Sequence, residues 1–359
     1  MRISLFSIII FSVFACSKHS PASLNTSRFN QLDSNQIQLG RFLFYDTRLS
    51  SNNTKSCGTC HNPVFAFTDG YKRSLGIYAD VLQRNTTPLF NLKEQKYLTF
   101  ADSNIKTLLR QIDNPLFNEH PLEMGVKGNE VEILNRIKQQ PLYQKIFQKA
   151  DLDLNWQSIK LSITRFVSTL TSYQSPYDFY LKGDLSVYNE SQLKGMQLFF
   201  SDSLNCSKCH GGINFSTPKV FSAPDKIEYF FNTGLYNVGD KNEYPKYDQG
   251  LLQHTQNQLD MGKFRVPSLR NLIYTKPYYH DGSEENLKGV ILNYENGGRQ
   301  ISNGEYKGDG RKNKYKSELI KGFKLSDYER ICLIKFLESL SDSNFIQNPK
   351  YQDPFNNTN

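Results

Sequence analysis

Residues 55–63 read KSCGTCHNP and residues 205–213 read NCSKCHGGI. Each stretch holds a Cys-x-x-Cys-His pentad: Cys57, Cys60 and His61 in the first, Cys206, Cys209 and His210 in the second. Two thiols separated by two residues can form thioethers with the two vinyl groups of one haem. The histidine that follows then presents its imidazole to the iron from the same turn. The chain has 6 Cys and 6 His in 359 residues, so a twofold chance occurrence of this pattern is negligible. Other uses of such cysteines exist. A redox dithiol needs no histidine and would stand in a βαβ setting, which the sequence lacks. A zinc site built from Cys57, Cys60, Cys206 and Cys209 leaves both histidines unexplained, and two disulfides are open to an exported chain. The pentads predict two covalently bound c-type haems.

The N-terminus agrees with export, because haem is joined to c-type cytochromes outside the bacterial cytoplasm. Arg2 precedes a short apolar run, Leu5 to Ala15, too short to span a bilayer and suited to a signal peptide. The run ends Val13-Phe14-Ala15-Cys16, which resembles a lipobox, so residues 1–16 are expected to be a lipoprotein signal with Cys16 as the lipidated residue. No later segment is apolar enough to cross a membrane, so membrane contact is expected only through that lipid. The expected location is periplasmic and lipid-anchored. The formal charge is +8, but basic residues are scattered and no nucleic-acid surface is expected. The four propionates of two haems would offset about half of that charge. Cys332, the remaining cysteine, sits in an apolar helical stripe and is read as packing.

Helical signals dominate. Trp156, Ile159, Ile163, Phe166, Val167 and Leu170 share one helical face, and Ser326 with Glu329 forms a capping box ahead of another helix. Residues 130–140 and 105–112 also read as helices, whereas 51–54 and 297–313 read as loops. Residues 39–45 (LGRFLFY) precede the first pentad and residues 193–200 (LKGMQLFF) precede the second, a weak internal repeat that suggests two copies of one module. The expected fold class is mostly α: two cytochrome c-like haem domains packed against each other, with long loops and little β. The domains are set at 24–178 and 179–348, with the join near Ser175 to Asp184.

At this level the chain resembles the bacterial di-haem cytochrome c peroxidase superfamily, which includes the MauG-like enzymes. The resemblance is carried in order by LGRFLFYDTRLS, CHNPVFAFTDG, RNTTPLFN (84–91), PLEMG (121–125), RFVSTLTSYQSPYDFYLKGD (165–184) and GKFRVPSLRNLIYTKPYYHDGS (262–283). It implies that His61 and His210 are proximal iron ligands, that the N-terminal haem meets peroxide and that the C-terminal haem handles electrons. It places Glu123 as the acid–base carboxylate and Gln111 as a distal amide. Where classical members carry a removable histidine this chain has Ile77, and no His lies between 62 and 119, so the first haem is expected to keep an open face. His120 is the nearby alternative. The second distal ligand falls at Tyr294, as in MauG-like proteins, with Met261 as the fallback and Met124 and Met196 behind it. The family's inter-haem Trp is replaced by Ala101 beside Phe100, and the sole Trp, Trp156, lies on a core-facing helix. The resemblance also implies one calcium ion on Asn91, Thr275 and Pro277, and a supporting role for His280 near the second haem.

The expected activity is a haem peroxidase reducing hydrogen peroxide to water with electrons from a small cytochrome c or cupredoxin. Two alternatives stand beside it: MauG-like oxidation of a residue on a partner protein, and a non-catalytic di-haem electron carrier.

Overall fold

Apolar residues recur at helical spacing from the outset. Leu39, Leu43 and Phe44 are fully buried on one face of α1 (Thr26–Tyr45). The computed structural model describes residues 26–218 and 228–356, with side chains from residue 33 onward. The expected leader and Cys16 lie outside the described residues. The first pentad forms α2 (Cys57–Cys60). Next come α3 (Leu108–Gln111), α4 (Asp113–Phe117), α5 (Glu130–Lys138), α6 (Pro141–Ala150) and α7 (Trp156–Val167). A short α8 (Pro176–Leu181) leads to α9 (Glu190–Phe200), and the second pentad forms α10 (Cys206–Cys209). The remainder holds α11 (Leu252–Thr255), α12 (Leu287–Glu295), α13 (Asp327–Glu338) and α14 (Ser343–Gln347). Among the described residues the only ladders are two antiparallel pairs, Phe230–Phe231 with Phe264–Arg265 and Gln300–Ile301 with Gly308–Asp309.

Two helix pairs organise two cores. The first gathers Leu39, Leu43, Phe44, Ile159, Ile163 and Phe166 where α1 lies on α7. The second gathers Phe199, Phe215, Leu333, Phe336 and Leu337 where α9 lies on α13. The repeat seen in the sequence has a physical reason at its glycine. A Cβ on Gly40 would stand 1.8 Å from the carbonyl oxygen of Ser162 in α7, and one on Gly195 would stand 1.9 Å from that of Cys332 in α13. Both helices therefore touch backbone to backbone. In a free helix alanine is favoured over glycine by about 1 kcal/mol. Here Gly40→Ala or Gly195→Ala is expected to destabilise by about 1–3 kcal/mol through overpacking. A lower urea midpoint with an unchanged slope would show it; a stabilised variant would rule out the contact.

Several local expectations are met and some are corrected. Ser326 caps α13 in a reciprocal box with Glu329, and Cys332 is fully buried. The helix expected over 105–112 begins only at Leu108, because Thr107 is extended and its side chain accepts from the Arg110 N–H as the N-cap. The loop expected over 297–313 contains the second strand pair. Residue 178 falls inside α8, which opens with a Ser175–Asp178 capping box. The C-terminal segment returns to the first core: Phe345 and Tyr351 are buried there, and the Tyr45 hydroxyl donates to the Tyr351 carbonyl at 2.5 Å. No helix among the described residues is long and apolar enough to cross a membrane.

Candidate haem pockets and active site

Both pentads fold the same way. Each is a single helical turn in which the histidine N–H returns to the carbonyl of the first cysteine, His61 to Cys57 at 2.9 Å and His210 to Cys206 at 2.9 Å. Each is followed by a tight loop closed by a bridge, Asn62 with Thr68 and Gly211 with Thr217. The loop supplies the second support. His61 Nδ1 lies 2.9 Å from the Phe67 carbonyl, and His210 Nδ1 lies 2.9 Å from the Phe215 carbonyl. A carbonyl can only accept, so Nδ1 carries the proton and Nε2 keeps its lone pair for a metal. Burial lowers both imidazole pKa values, which holds them neutral as a ligand must be.

The pentads open into two separate cavities. The first, about 1030 Å³ including its mouth, is lined by Cys57, Cys60, His61, Gln111 and Glu123. The second, about 2270 Å³ including its mouth, is lined by Cys206, Cys209, His210 and Tyr294. Because the cysteine pairs face different cavities, a four-sulfur zinc site is excluded, and none of the four is in a disulfide. Burial pushes the Cys57 and Cys206 thiols up to about 12, surroundings that suit neutral thioether sulfur rather than thiolate.

Arg265 gives an independent test of fit. It is 7% exposed and lines both cavities. Among the described residues its guanidinium donates only to carbonyls, Thr99 at 2.9 Å and Val266 at 3.2 Å, and it stands over the Phe100 ring at 5.9 Å. Burial lowers its pKa to about 10. A buried cation without a carboxylate is expensive. Haem propionates would supply the missing anions, so thiol pairs, imidazoles, cavity sizes and this cation all fit haem.

Expected distal residues divide cleanly. Glu123 lines the first cavity, and burial pushes its carboxyl up to about 7. Gln111 ends α3, lines the cavity and accepts from Asn114 Nδ2 at 3.2 Å. Ile77 is buried but does not line the cavity; Leu75 and Leu82 do. His120 is exposed and off the lining, and Met124 lines the first cavity rather than the second. In the second cavity Tyr294 projects from α12, with Tyr279 and Tyr244 beside it on the wall. Burial, then Tyr279 and the cysteine sulfurs, hold its phenol well above its ordinary pKa. The fallback ligand Met261 is buried in a third small core with Tyr236 and Tyr244 and does not line the cavity.

His280 lines the second cavity, stacked on Phe264 at 3.5 Å, with Nε2 3.8 Å from Asp248, which Arg84 grips with two bonds. Thr275 and Pro277 line that cavity too. Asn91 is buried and off that lining: its Oδ1 accepts from the Ser172 N–H at 2.8 Å, and its Nδ2 donates to the Ser172 carbonyl and to Asn214 Oδ1, each at 3.0 Å. Ala101 is fully buried next to Phe100, which lines the second cavity. Arg265 went unread in the sequence. Its only signal there was an arginine in an apolar phrase, FRVPSL, where a charge needs a reason.

Comparison with known proteins agrees with this geometry. The family model described as di-haem cytochrome c peroxidase matches residues 34–186. The chain is 30% identical over 274 residues to the cytochrome c551 peroxidase of Pseudomonas aeruginosa, covering 76% of this chain and 75% of that protein. It is 28% identical to the methylamine utilization protein MauG of Methylorubrum extorquens, covering 89% of this chain and 82% of that one. A solved MauG-like protein associated with microbial copper homeostasis superposes with a TM-score of 0.85 at 38% identity, covering 89% of this chain and 93% of the other. The chain belongs to the di-haem cytochrome c peroxidase family.

Proposed function

We propose that the protein reduces hydrogen peroxide to two waters at the first cavity, taking two electrons and two protons per peroxide. The electrons come from a small cytochrome c or cupredoxin, and haem held by Cys206, Cys209 and His210 at the second cavity would supply the redox centre that relays them. The observation that carries this reading is the convergence of Glu123, Gln111 and His61 on one cavity whose lining, among the described residues, holds no second histidine. Haem attached at Cys57 and Cys60 supplies the redox-active iron. Glu123, as carboxylate, takes the proton from one peroxide oxygen and returns it to the other, which leaves as water. Gln111 donates a hydrogen bond that orients the peroxide. Leu75, Leu82 and Leu108 keep bulk water from the site.

In the same proposal each core carries one haem in a cytochrome c-like unit. Tyr294 lines the second cavity together with His210, and as a phenolate it would offer a hard ligand to haem held there, which would lower the haem potential. A calcium ion on Asn91, Thr275 and Pro277 suits those oxygen donors and enters no step. The chain is placed in the periplasm, tethered by lipid on Cys16. MauG-like oxidation of a partner protein is the second reading, and the tyrosine at position 294 on the second cavity wall favours it.

One experiment separates these readings from a simple electron carrier. Electron paramagnetic resonance of the ferric holoprotein should show one high-spin and one low-spin haem. Two low-spin signals, from Met124 closing the first site or otherwise, would leave only a carrier. Peroxide with a reduced small cytochrome should then give steady turnover; a haem response without turnover would move the assignment to oxidation of a partner protein.

A further inference from the structure

Aromatic residues pack densely throughout, but most of these contacts include a Phe ring, which is too hard to oxidise to carry charge. One run differs. Tyr244 lines the second cavity and is 2% exposed. Its ring centroid is 5.5 Å from that of Tyr236, which is 5.8 Å from Tyr306, which is 6.1 Å from Tyr247. Tyr236 is 5% exposed, whereas Tyr306 and Tyr247 are half-exposed. The run thus leads from the cavity wall to the surface through phenol rings alone, each in edge-on contact with the next.

We propose that Tyr244, Tyr236, Tyr306 and Tyr247 form an electron path between the second cavity and the surface, with Tyr236 as its buried oxidisable station. Phenol gives up an electron readily only if its proton has somewhere to go. The Tyr236 hydroxyl donates to Asp281 Oδ2 at 2.5 Å. Asp281 is held in place by the Ser283 N–H at 3.1 Å. Tyr244 has no such acceptor: its hydroxyl donates to the Asn232 amide oxygen at 2.8 Å and accepts from the Leu235 N–H at 3.1 Å. An amide does not take a proton, so Tyr244 bridges and Tyr236 stores. At the outer end the Tyr306 hydroxyl has the Glu305 carboxylate and Tyr247 within hydrogen-bonding reach. Arg299 stands over the Tyr236 ring at 4.6 Å. That cation opposes a charged radical and leaves the neutral one, formed by passing the proton to Asp281, as the accessible state.

The balance is simple and rests on the peroxidase reading. Tyr236 loses one electron toward the cavity while its phenolic proton crosses to Asp281. An electron arriving from Tyr306 restores the phenol and the proton returns. Each peroxide reduced draws two such electrons, supplied at the Tyr306–Tyr247 surface by a one-electron donor.

The test treats holoprotein carrying ring-deuterated tyrosine with peroxide, without donor, and freezes it for electron paramagnetic resonance. The expected result is a deuterium-narrowed tyrosyl signal, lost in Tyr236→Phe and in Asp281→Asn, and kept in Tyr180→Phe, a tyrosine off the path. If Tyr236→Phe does not load both haems, Tyr306→Phe serves instead: the buried signal should then persist longer after donor is added. A haem spectrum that responds to peroxide, with a tyrosyl signal absent or unchanged in these variants, overturns the path alone. A haem spectrum that does not respond overturns the peroxidase reading and the path with it.

Discussion

Replacing Glu123 by Gln is expected to slow peroxide turnover by about 10²–10⁴-fold, the range for loss of a positioned general acid–base group. Both haems should stay attached, because Glu123 is far in sequence from either pentad and the amide fills the same space. What the variant loses is the ability to take one proton and give it back. The pH profile carries the more specific signature. Burial pushes the Glu123 carboxyl up to about 7, so the wild type should lose activity as pH falls through that value and the base is protonated. The same shift has a stability consequence of defined sign. Below the ordinary carboxylate range the group is neutral in both folded and unfolded chains and costs nothing. Between that range and about 7 the unfolded chain gives up the proton while the folded one holds it, so stability declines as pH rises through the window and then levels. Glu123→Gln should remove both the acid limb of activity and this decline. An acid limb unchanged in the variant would assign it to another group.

Much of the site could be read from residue spacing because its chemistry is local. A pentad is one turn, so thiols and imidazole are placed by neighbours in sequence, and both turns formed as expected. The second support, each histidine Nδ1 on a carbonyl five or six residues later, is equally local. Glu123 and Gln111 are different. Neither sits in a motif with chemistry of its own, and only resemblance to a family pointed to them; their meeting in one cavity depends on how α3 packs against α7 and how the loop after α4 folds back onto α4. Arg265 and the Tyr236–Asp281 pair escaped notice because burial decides what they do, and burial is a property of the whole fold. The strand pair within 297–313 was hidden for a related reason: a Gly- and Asn-rich stretch gives turn signals but no alternation, and two residues per strand leave no period to see. Gly40 and Gly195 lie between these cases. Their repeat was visible, while the reason for it, a carbonyl of a distant helix under 2 Å from a hypothetical Cβ, was not.

Replacing Arg270 by Met is expected to destabilise the protein by about 3–5 kcal/mol, as for removal of one partner from a buried ion pair. Arg270 is 1% exposed, and its guanidinium grips both oxygens of Asp178 at 2.8 Å. Its Nε donates to the Ile213 carbonyl at 2.9 Å, and its face lies 5.0 Å from the Tyr173 ring centroid. The methionine fills the apolar volume but leaves Asp178 with only Ser175, whose N–H and hydroxyl approach at 2.9 and 2.6 Å. Burial alone would raise the Asp178 pKa; Arg270 and Ser175 outweigh it and leave it below the usual carboxylate value. The pair therefore stabilises the fold above that usual value and its contribution fades as pH falls through the lowered one. Arg270→Met should remove this acid sensitivity, and Asp178→Asn added to Arg270→Met should recover part of the loss because no charge is left unpaired. The same arginine ties α8 to the loop that carries the carbonyl facing His210 Nδ1, so the loss reaches the second haem. Its spectrum should respond at lower denaturant than that of the first. A destabilisation below about 1 kcal/mol, the scale of an exposed pair, would show that this contact is not what joins α8 to the second pentad.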